Sequence, residues 1–171
     1  DSAKKQFETE WREEIAQFYN HPSIVVWTTF NEGWGQHDTP EVVELTRKLD
    51  PTRLVNNASG WTDKNVGDIY DTHAYPPPRC ELPSETRASV CGEFGGLGMR
   101  VEGHMWSKGA WGYQGVYSTG YPLTKKYQQL LKEAWKLSEE RGMSAYVYTQ
   151  ITDVEEESNG SCGTRRRLSS S

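Results

Sequence analysis

The sequence lacks an excess of basic residues and any long apolar run. Its 171 residues include 19 Lys and Arg against 24 Asp and Glu, which gives a formal net charge of −5. A protein that binds the phosphate backbone of a nucleic acid needs clustered positive charge, so we predict no nucleic-acid partner. No apolar run approaches the roughly 20 residues of a membrane span, and residues 1–20 do not resemble a signal peptide. We therefore predict no membrane segment, and the cellular location stays open.

Cysteine is scarce as well. Cys80, Cys91 and Cys162 are an odd number without C-x-x-C spacing, so neither a disulfide framework nor a zinc site is indicated. Cys91 lies within an apolar run and is predicted to be a buried thiol. Aromatic residues, by contrast, make up 12% of the chain and include 7 Trp. This composition predicts a globular protein with an aromatic-lined surface rather than a disordered one.

Segments of helical and extended pattern alternate along the chain. Phe7, Trp11, Ile15 and Phe18 recur at three- and four-residue steps, which predicts an amphipathic helix that stops before Pro22. Further helices are predicted over residues 39–49 and 123–141, and strands over 24–30, 54–58, 69–75, 88–93 and 144–153. Because strands joined through helices usually pair in parallel, we predict an α/β fold with a parallel sheet.

Polar residues collect where the predicted strands end. Glu32, residues 71–75, Glu93 and the segment after Tyr148 all follow strands, and parallel α/β folds place their sites at this end. Two carboxylates at one mouth suit glycoside hydrolysis. In retaining glycosidases they stand about 5 to 5.5 Å apart, one protonated as general acid and the other ionised as nucleophile.

Five segments in order carry a resemblance to a known family: "HPSIVVWTTFNEGWG", "DPTRLVNNASGW", "DTHAYP", "CGEFGG" and "YTQITDVEEESNG". Together they resemble glycoside hydrolase family 2, the β-galactosidase, β-glucuronidase and β-mannosidase group. The resemblance covers residues 8–160. It implies a (β/α)8 TIM barrel, of which the chain would hold a partial barrel with about strands four to eight.

The resemblance also implies roles for matching positions. Glu32 looks like the acid/base and Glu93 like the nucleophile. Asn31 would hydrogen-bond the sugar 2-hydroxyl, and Tyr75 would donate to the nucleophile and keep it ionised. Four further residues are predicted as looser sugar contacts: His73, Trp106, Gln150 and Asp153.

These roles imply a retaining hydrolase of β-linked glycosides without an organic cofactor or a metal. A β-galactosidase-like activity is the first expectation, since Gly33 and Trp34 follow Asn31-Glu32 where we associate proline with the glucuronidases. Residues 1–160 are predicted to be the C-terminal part of the catalytic barrel, and residues 161–171 a disordered basic tail. The first barrel half and the β-sandwich domains are expected as partners within the full-length protein.

Other interpretations of the same residues remain open. Glu32 and Glu93 could be a helix-start residue and a turn acid, and Tyr75 could merely pack a loop. His37 beside Asp38 could suggest a metal site. For the whole chain, the alternatives are a carbohydrate-binding or structural remnant without turnover and a metal-dependent barrel hydrolase, which a chelator would inactivate.

Overall fold

The structure is a computed structural model in which residues 2–161 are described. Within them are three helices: α1 (Ser2–Phe18), α2 (Thr39–Leu49) and α3 (Gly120–Arg141). The strands are β1 (Val26–Thr28), β2 (Leu54–Asn56), β3 (Ile69–Ala74), β4 (Ala88–Gly95), β5 (Gly98–Met99), β6 (Val116–Tyr117) and β7 (Met143–Thr149). The predicted tail lies outside the described residues, apart from Ser161.

The helices form where the apolar spacing predicted them. In α1, Trp11 and Ile15 are buried against Trp27 of β1, and the indole N–H of Trp11 donates to Thr46 Oγ1 of α2 at 2.8 Å. In α2, Pro40 occupies the first turn, where its missing N–H costs no hydrogen bond. In α3, Gly142 ends the helix in the left-handed conformation that glycine adopts without steric cost.

All pairs of neighbouring strands are parallel, as predicted. One sheet has the order β1-β2, a second has the order β3-β4-β7, and β5 pairs with β6. The short pair β5–β6 lies outside the strands that the sequence predicted. The α/β class is thus confirmed, and the described residues form no closed barrel.

The sequence predicted the first strand over residues 24–30, whereas β1 covers only Val26–Thr28. Beyond β1, the chain still forms irregular backbone hydrogen bonds with the segment that follows β2. The N–H of Ser59 donates to Phe30 O at 2.8 Å, and the N–H of Glu32 donates to Ser59 O at 2.8 Å. Strand boundaries shift where the ladder becomes irregular. This extension places Glu32 beside Ser59.

The main apolar core lies between α3 and the sheet β3-β4-β7. Its buried side chains include Phe94, Leu130 and Met143. Cys91 belongs to the same core and is a buried free thiol, as predicted, and burial raises its pKa to about 11. In residues 2–161, no helix is long and apolar enough to cross a membrane.

Candidate active site

Glu32 and Glu93 come together although 61 residues of sequence separate them. Glu32 follows β1 with φ 52, a left-handed conformation uncommon for a residue with a side chain, and Glu93 lies on β4 in register with His73 of β3. One oxygen of each carboxylate and one nitrogen of His73 all lie within 4.8 Å of one another. The structure therefore brings the predicted carboxylate pair to one place.

The His73 imidazole lies between the two carboxylates. Its Nδ1 is 2.9 Å from Glu32 Oε1 and 3.5 Å from Glu93 Oε2, and its Nε2 is 2.7 Å from Ser59 Oγ. Only 1% of the side chain is exposed, and the Trp61 ring meets its edge at 6.0 Å between centroids. Protein groups thus occupy both ring nitrogens, an arrangement that differs from the predicted sugar contact.

Behind His73 lies Asp71, which is 3% exposed and was not predicted as a site residue. Its carboxylate accepts hydrogen bonds from Ser59 Oγ at 2.8 Å, Asn56 Nδ2 at 2.7 Å and the Gly92 N–H at 2.7 Å. Burial raises the pKa of Asp71 above its ordinary value, and the donors from Ser59, Gly92 and Asn56 oppose this shift. The sequence did contain a signal for the burial of Asp71: side chains alternate between the two faces of a strand, so in "IYDTHA" Asp71 lies on the same face as the apolar Ile69.

The Tyr75 hydroxyl donates a hydrogen bond to Glu93 Oε2 and lies 3.0 Å from Thr149 Oγ1. Burial and the bond to Glu93 raise the pKa of Tyr75, so the phenol keeps its proton and remains a donor. Tyr113 stacks on the Tyr75 ring with centroids 3.6 Å apart and planes 7° apart. Thr149, at the end of β7, was detectable as a strand-end residue, whereas Tyr113 lies in a loop without any periodic signal.

The structure places the remaining predicted contacts in two regions. Asn31 directly precedes Glu32, has an exposed side chain and accepts a hydrogen bond at its carbonyl from Trp34 N–H at 2.9 Å. Trp106 lines a pocket of about 450 Å³ together with Trp111 and residues 154–157.

Gln150 and Asp153 bind their own loop. Gln150 Nε2 donates to Asn159 Oδ1 at 2.8 Å, and Asp153 Oδ1 accepts from the Gly160 N–H at 2.8 Å. These bonds engage polar atoms that the sequence interpretation assigned to a sugar.

Glu32, His73 and Glu93 are of ligand types that could hold a divalent cation. However, the 2.9 Å between His73 Nδ1 and Glu32 Oε1 is an ordinary hydrogen-bond length, so we interpret these two side chains as hydrogen-bonded to each other, with Glu93 Oε2 3.5 Å from the same nitrogen. Among the described residues, His37 and Asp38 belong to no group of three ligand-type side chains. The His37 ring packs on Phe30 while Asp38 pairs with Lys4, so the two side chains serve separate contacts.

Comparison with known proteins identifies the family. The sequence profile of the glycosyl hydrolases family 2 TIM barrel domain matches residues 2–88, half of the chain. The chain belongs to this family. The resemblance to glycoside hydrolase family 2 is thereby confirmed. The matched part of this family 2 chain contains Glu32, His73 and Tyr75 and ends before Glu93.

A protein of Formosa agariphila, provisionally named a beta-glucuronidase, is 36% identical to the family 2 chain over 64 residues. The match covers 35% of the chain but only 6% of that protein. The chain thus spans a small part of the length of this curated relative.

Proposed function

We propose that this chain supplies the two catalytic carboxylates of a retaining β-glycosidase. The observation that carries the proposal is the approach of Glu32 and Glu93 to within 4.8 Å through one oxygen each. Retaining enzymes hold the two carboxyl groups about 5 to 5.5 Å apart, whereas inverting enzymes need about 6.5 to 9.5 Å to admit a water. The short separation favours double displacement.

In the first step Glu93 attacks the anomeric carbon while protonated Glu32 donates its proton to the glycosidic oxygen. The bond from carbon to the leaving oxygen breaks, and the sugar is bound to Glu93 as an ester. In the second step Glu32, now a carboxylate, takes a proton from a water that attacks the same carbon. The carbon to Glu93 bond breaks, and the sugar leaves with retained configuration while Glu32 is protonated again.

Tyr75 and Asn31 support this chemistry. The Tyr75 hydroxyl donates to Glu93 Oε2, and a hydrogen bond to an ionised carboxylate stabilises that charged form. Stacking on Tyr113 fixes the plane of the phenol and hence the direction of its O–H. Asn31, adjacent to Glu32 and exposed, is available for the sugar 2-hydroxyl, as the resemblance implies.

Our proposal for the architecture is that residues 1–160 form the second part of a barrel, with β1, β2, β3, β4 and β7 as strands four to eight. Parallel pairing and the strand order within each sheet support this. Between the sheets, the Asn56 side chain of β2 donates to Asp71 of β3. The earlier strands and the β-sandwich domains would belong to the rest of the full-length protein.

The sugar is to be determined by assay. The sequence interpretation favoured β-galactosides, but the comparisons give this preference no support, because the Formosa agariphila relative carries a beta-glucuronidase name. Discrimination among sugars depends on hydroxyl contacts, and one buried polar contact can be decisive.

The test is hydrolysis of nitrophenyl β-galactoside, β-glucoside, β-mannoside and β-glucuronide by this chain and by the gene product extended upstream. Each protein is compared with its Glu93→Gln variant and with Glu140→Gln, a control that neutralises an exposed carboxylate on α3. We expect turnover of one glycoside that Glu93→Gln abolishes and Glu140→Gln preserves. Folded protein without turnover in either form would contradict the proposal and favour a binding remnant.

A further inference from the structure

The chemistry proposed above gives His73 no part, although the ring touches both carboxylates. Its side chain is almost fully buried, so it has no surface to offer a sugar. Each ring nitrogen has an oxygen partner within hydrogen-bond distance: Ser59 Oγ at Nε2 and Glu32 Oε1 at Nδ1. The hydrogens that these partners can donate or accept determine which of the two ring nitrogens is protonated.

Asp71 lies at the far end of this chain of contacts. Its two oxygens accept from three donors, Ser59, Asn56 and the Gly92 backbone, and these hydrogen bonds favour the ionised form against the opposing effect of burial. A serine hydroxyl has one hydrogen, and Ser59 donates it in the hydrogen bond to Asp71. The Ser59 oxygen can therefore only accept at its contact with His73, so Nε2 must carry a hydrogen.

At the opposite side of the ring, Nδ1 faces two carboxylate oxygens. Glu32 Oε1 is at hydrogen-bond distance, and Glu93 Oε2 is farther away at 3.5 Å. A carboxylate oxygen without a proton can only accept, so the favourable arrangement puts a hydrogen on Nδ1 too. The imidazolium then faces the carboxyl group of Glu32 and the carboxylate of Glu93, with Asp71 beyond Ser59 and the protonated Tyr75 phenol on Glu93.

We propose that Asp71 and Ser59 hold His73 as a doubly protonated positioning residue, which donates Nδ1–H to Glu32 Oε1. This inference rests on the proposed function. Glu32 Oε1 is thereby occupied, and Oε2 is left as the oxygen that exchanges a proton with the glycosidic oxygen and later with water. The hydrogens on His73 stay in place throughout, so the ring orients the acid/base without itself transferring a proton.

The arrangement has a consequence for the first chemical step. When Glu32 gives its proton to the leaving group it becomes negatively charged, and the Nδ1–H bond becomes charge-assisted at both ends. The bond thus strengthens as the reaction proceeds, which is the condition for an interaction to aid catalysis. The benefit is greatest for leaving groups that depend on protonation.

The first test is nuclear magnetic resonance of the imidazole nitrogens in the 15N-labelled chain near neutral pH. His73→Gln assigns the signals against those of the three other histidines. A doubly protonated ring gives two nitrogens of similar shift, and a neutral ring gives two well-separated ones. We expect the doubly protonated pattern, and we expect Asp71→Asn to change it to the neutral pattern.

Ser89→Ala is the matched control for the loss of a buried polar group, since the Ser89 hydroxyl on β4 donates to Glu81 O rather than to the site. It should leave the His73 signals unchanged. A neutral His73 in the unaltered chain, or an Asp71→Asn variant that keeps the doubly protonated pattern, would overturn the inference. Circular dichroism of each variant establishes that it is folded.

The second test separates positioning from structural support. In whichever form of the protein turns over a glycoside, Asp71→Asn should lower kcat about tenfold or more for a methyl glycoside. It should change kcat much less for a dinitrophenyl glycoside, whose leaving group needs no proton. Equal losses on both substrates would overturn the positioning role. Turnover that survives Glu93→Gln would instead refute the proposed function, so the two failures are distinguishable.

Discussion

The hydrogen-bonded chain behind the carboxylates makes Gly92 a sensitive position. A Cβ built on Gly92 would lie 2.7 Å from Cγ of Asp71 and would overlap both oxygens of that carboxylate. The Gly92 N–H also donates to Asp71 Oδ1 at 2.7 Å. We therefore expect Gly92→Ala to displace Asp71 from a buried position in which its oxygens are already occupied by donors.

The magnitude follows from two contributions. Forcing an extra carbon into a packed interior costs about 1–3 kcal/mol. Losing a hydrogen bond to a charged group costs about 1.5–3 kcal/mol. The two overlap because one movement of Asp71 relieves the first and causes the second, so we take about 3 kcal/mol. For a domain of this size about 2–4 °C of Tm corresponds to each kcal/mol, which gives a drop of about 6–12 °C.

The assay is thermal unfolding followed by circular dichroism, with Gly120→Ala as the control. A Cβ on Gly120, at the start of α3, would meet nothing within 4 Å, so that variant should unfold within a few degrees of the parent. Equal Tm values for Gly92→Ala and Gly120→Ala would refute the contact between Gly92 and Asp71. The doubly protonated state proposed for His73, which depends on an ionised Asp71 held in this position, would then lose its support.

Three further predictions follow from the same geometry. Tyr75→Phe removes a hydrogen-bond donor to Glu93, a loss of about 1.5–3 kcal/mol that should lower kcat roughly 10- to 100-fold in the glycoside assay. The circular dichroism spectrum should stay the same. An unchanged kcat would contradict the role of the phenol. Cys91 is buried and its pKa is about 11, so iodoacetamide at pH 8 should modify it far more slowly in the folded chain than in the urea-unfolded chain. Peptide mass spectrometry measures the two rates, and equal rates would contradict its burial. Dialysis against a chelator should leave glycoside turnover unchanged, because His73 and Glu32 are hydrogen-bonded to each other. Activity that is lost on dialysis and restored by a divalent cation would favour a metal site instead.

The sequence predicted those parts of the fold that depend on short-range pattern. Apolar spacing predicted α1, and the apolar runs within residues 24–30 and 88–93 predicted the strands that correspond to β1 and β4. Parallel pairing followed from the alternation of helices and strands. Because parallel strands place their carboxyl ends at one edge, the meeting of Glu32 and Glu93 could also be predicted.

Contacts between side chains that lie far apart in sequence could not be predicted in this way. The contact of Ser59 with both Asp71 and His73 depends on how the segment after β2 lies against β3, which no local pattern specifies. Tyr113 reaches Tyr75 from a loop whose path has no periodic signal. Gln150 was predicted as a sugar contact because sugar hydroxyl groups need donors and acceptors, yet it donates to Asn159 within its own loop.

The most direct test of the two-carboxylate account is to trap the glycosyl-enzyme intermediate. The active form of the protein is treated with a 2-deoxy-2-fluoro glycoside bearing a good leaving group, digested with trypsin and analysed by mass spectrometry. The tryptic peptide of residues 88–100, "ASVCGEFGGLGMR", contains Glu93 as its single carboxylate side chain. We predict that this peptide gains the mass of one fluorosugar and that Glu93→Gln abolishes the gain. A label on another peptide, or turnover with inverted configuration at the anomeric carbon, would contradict the account.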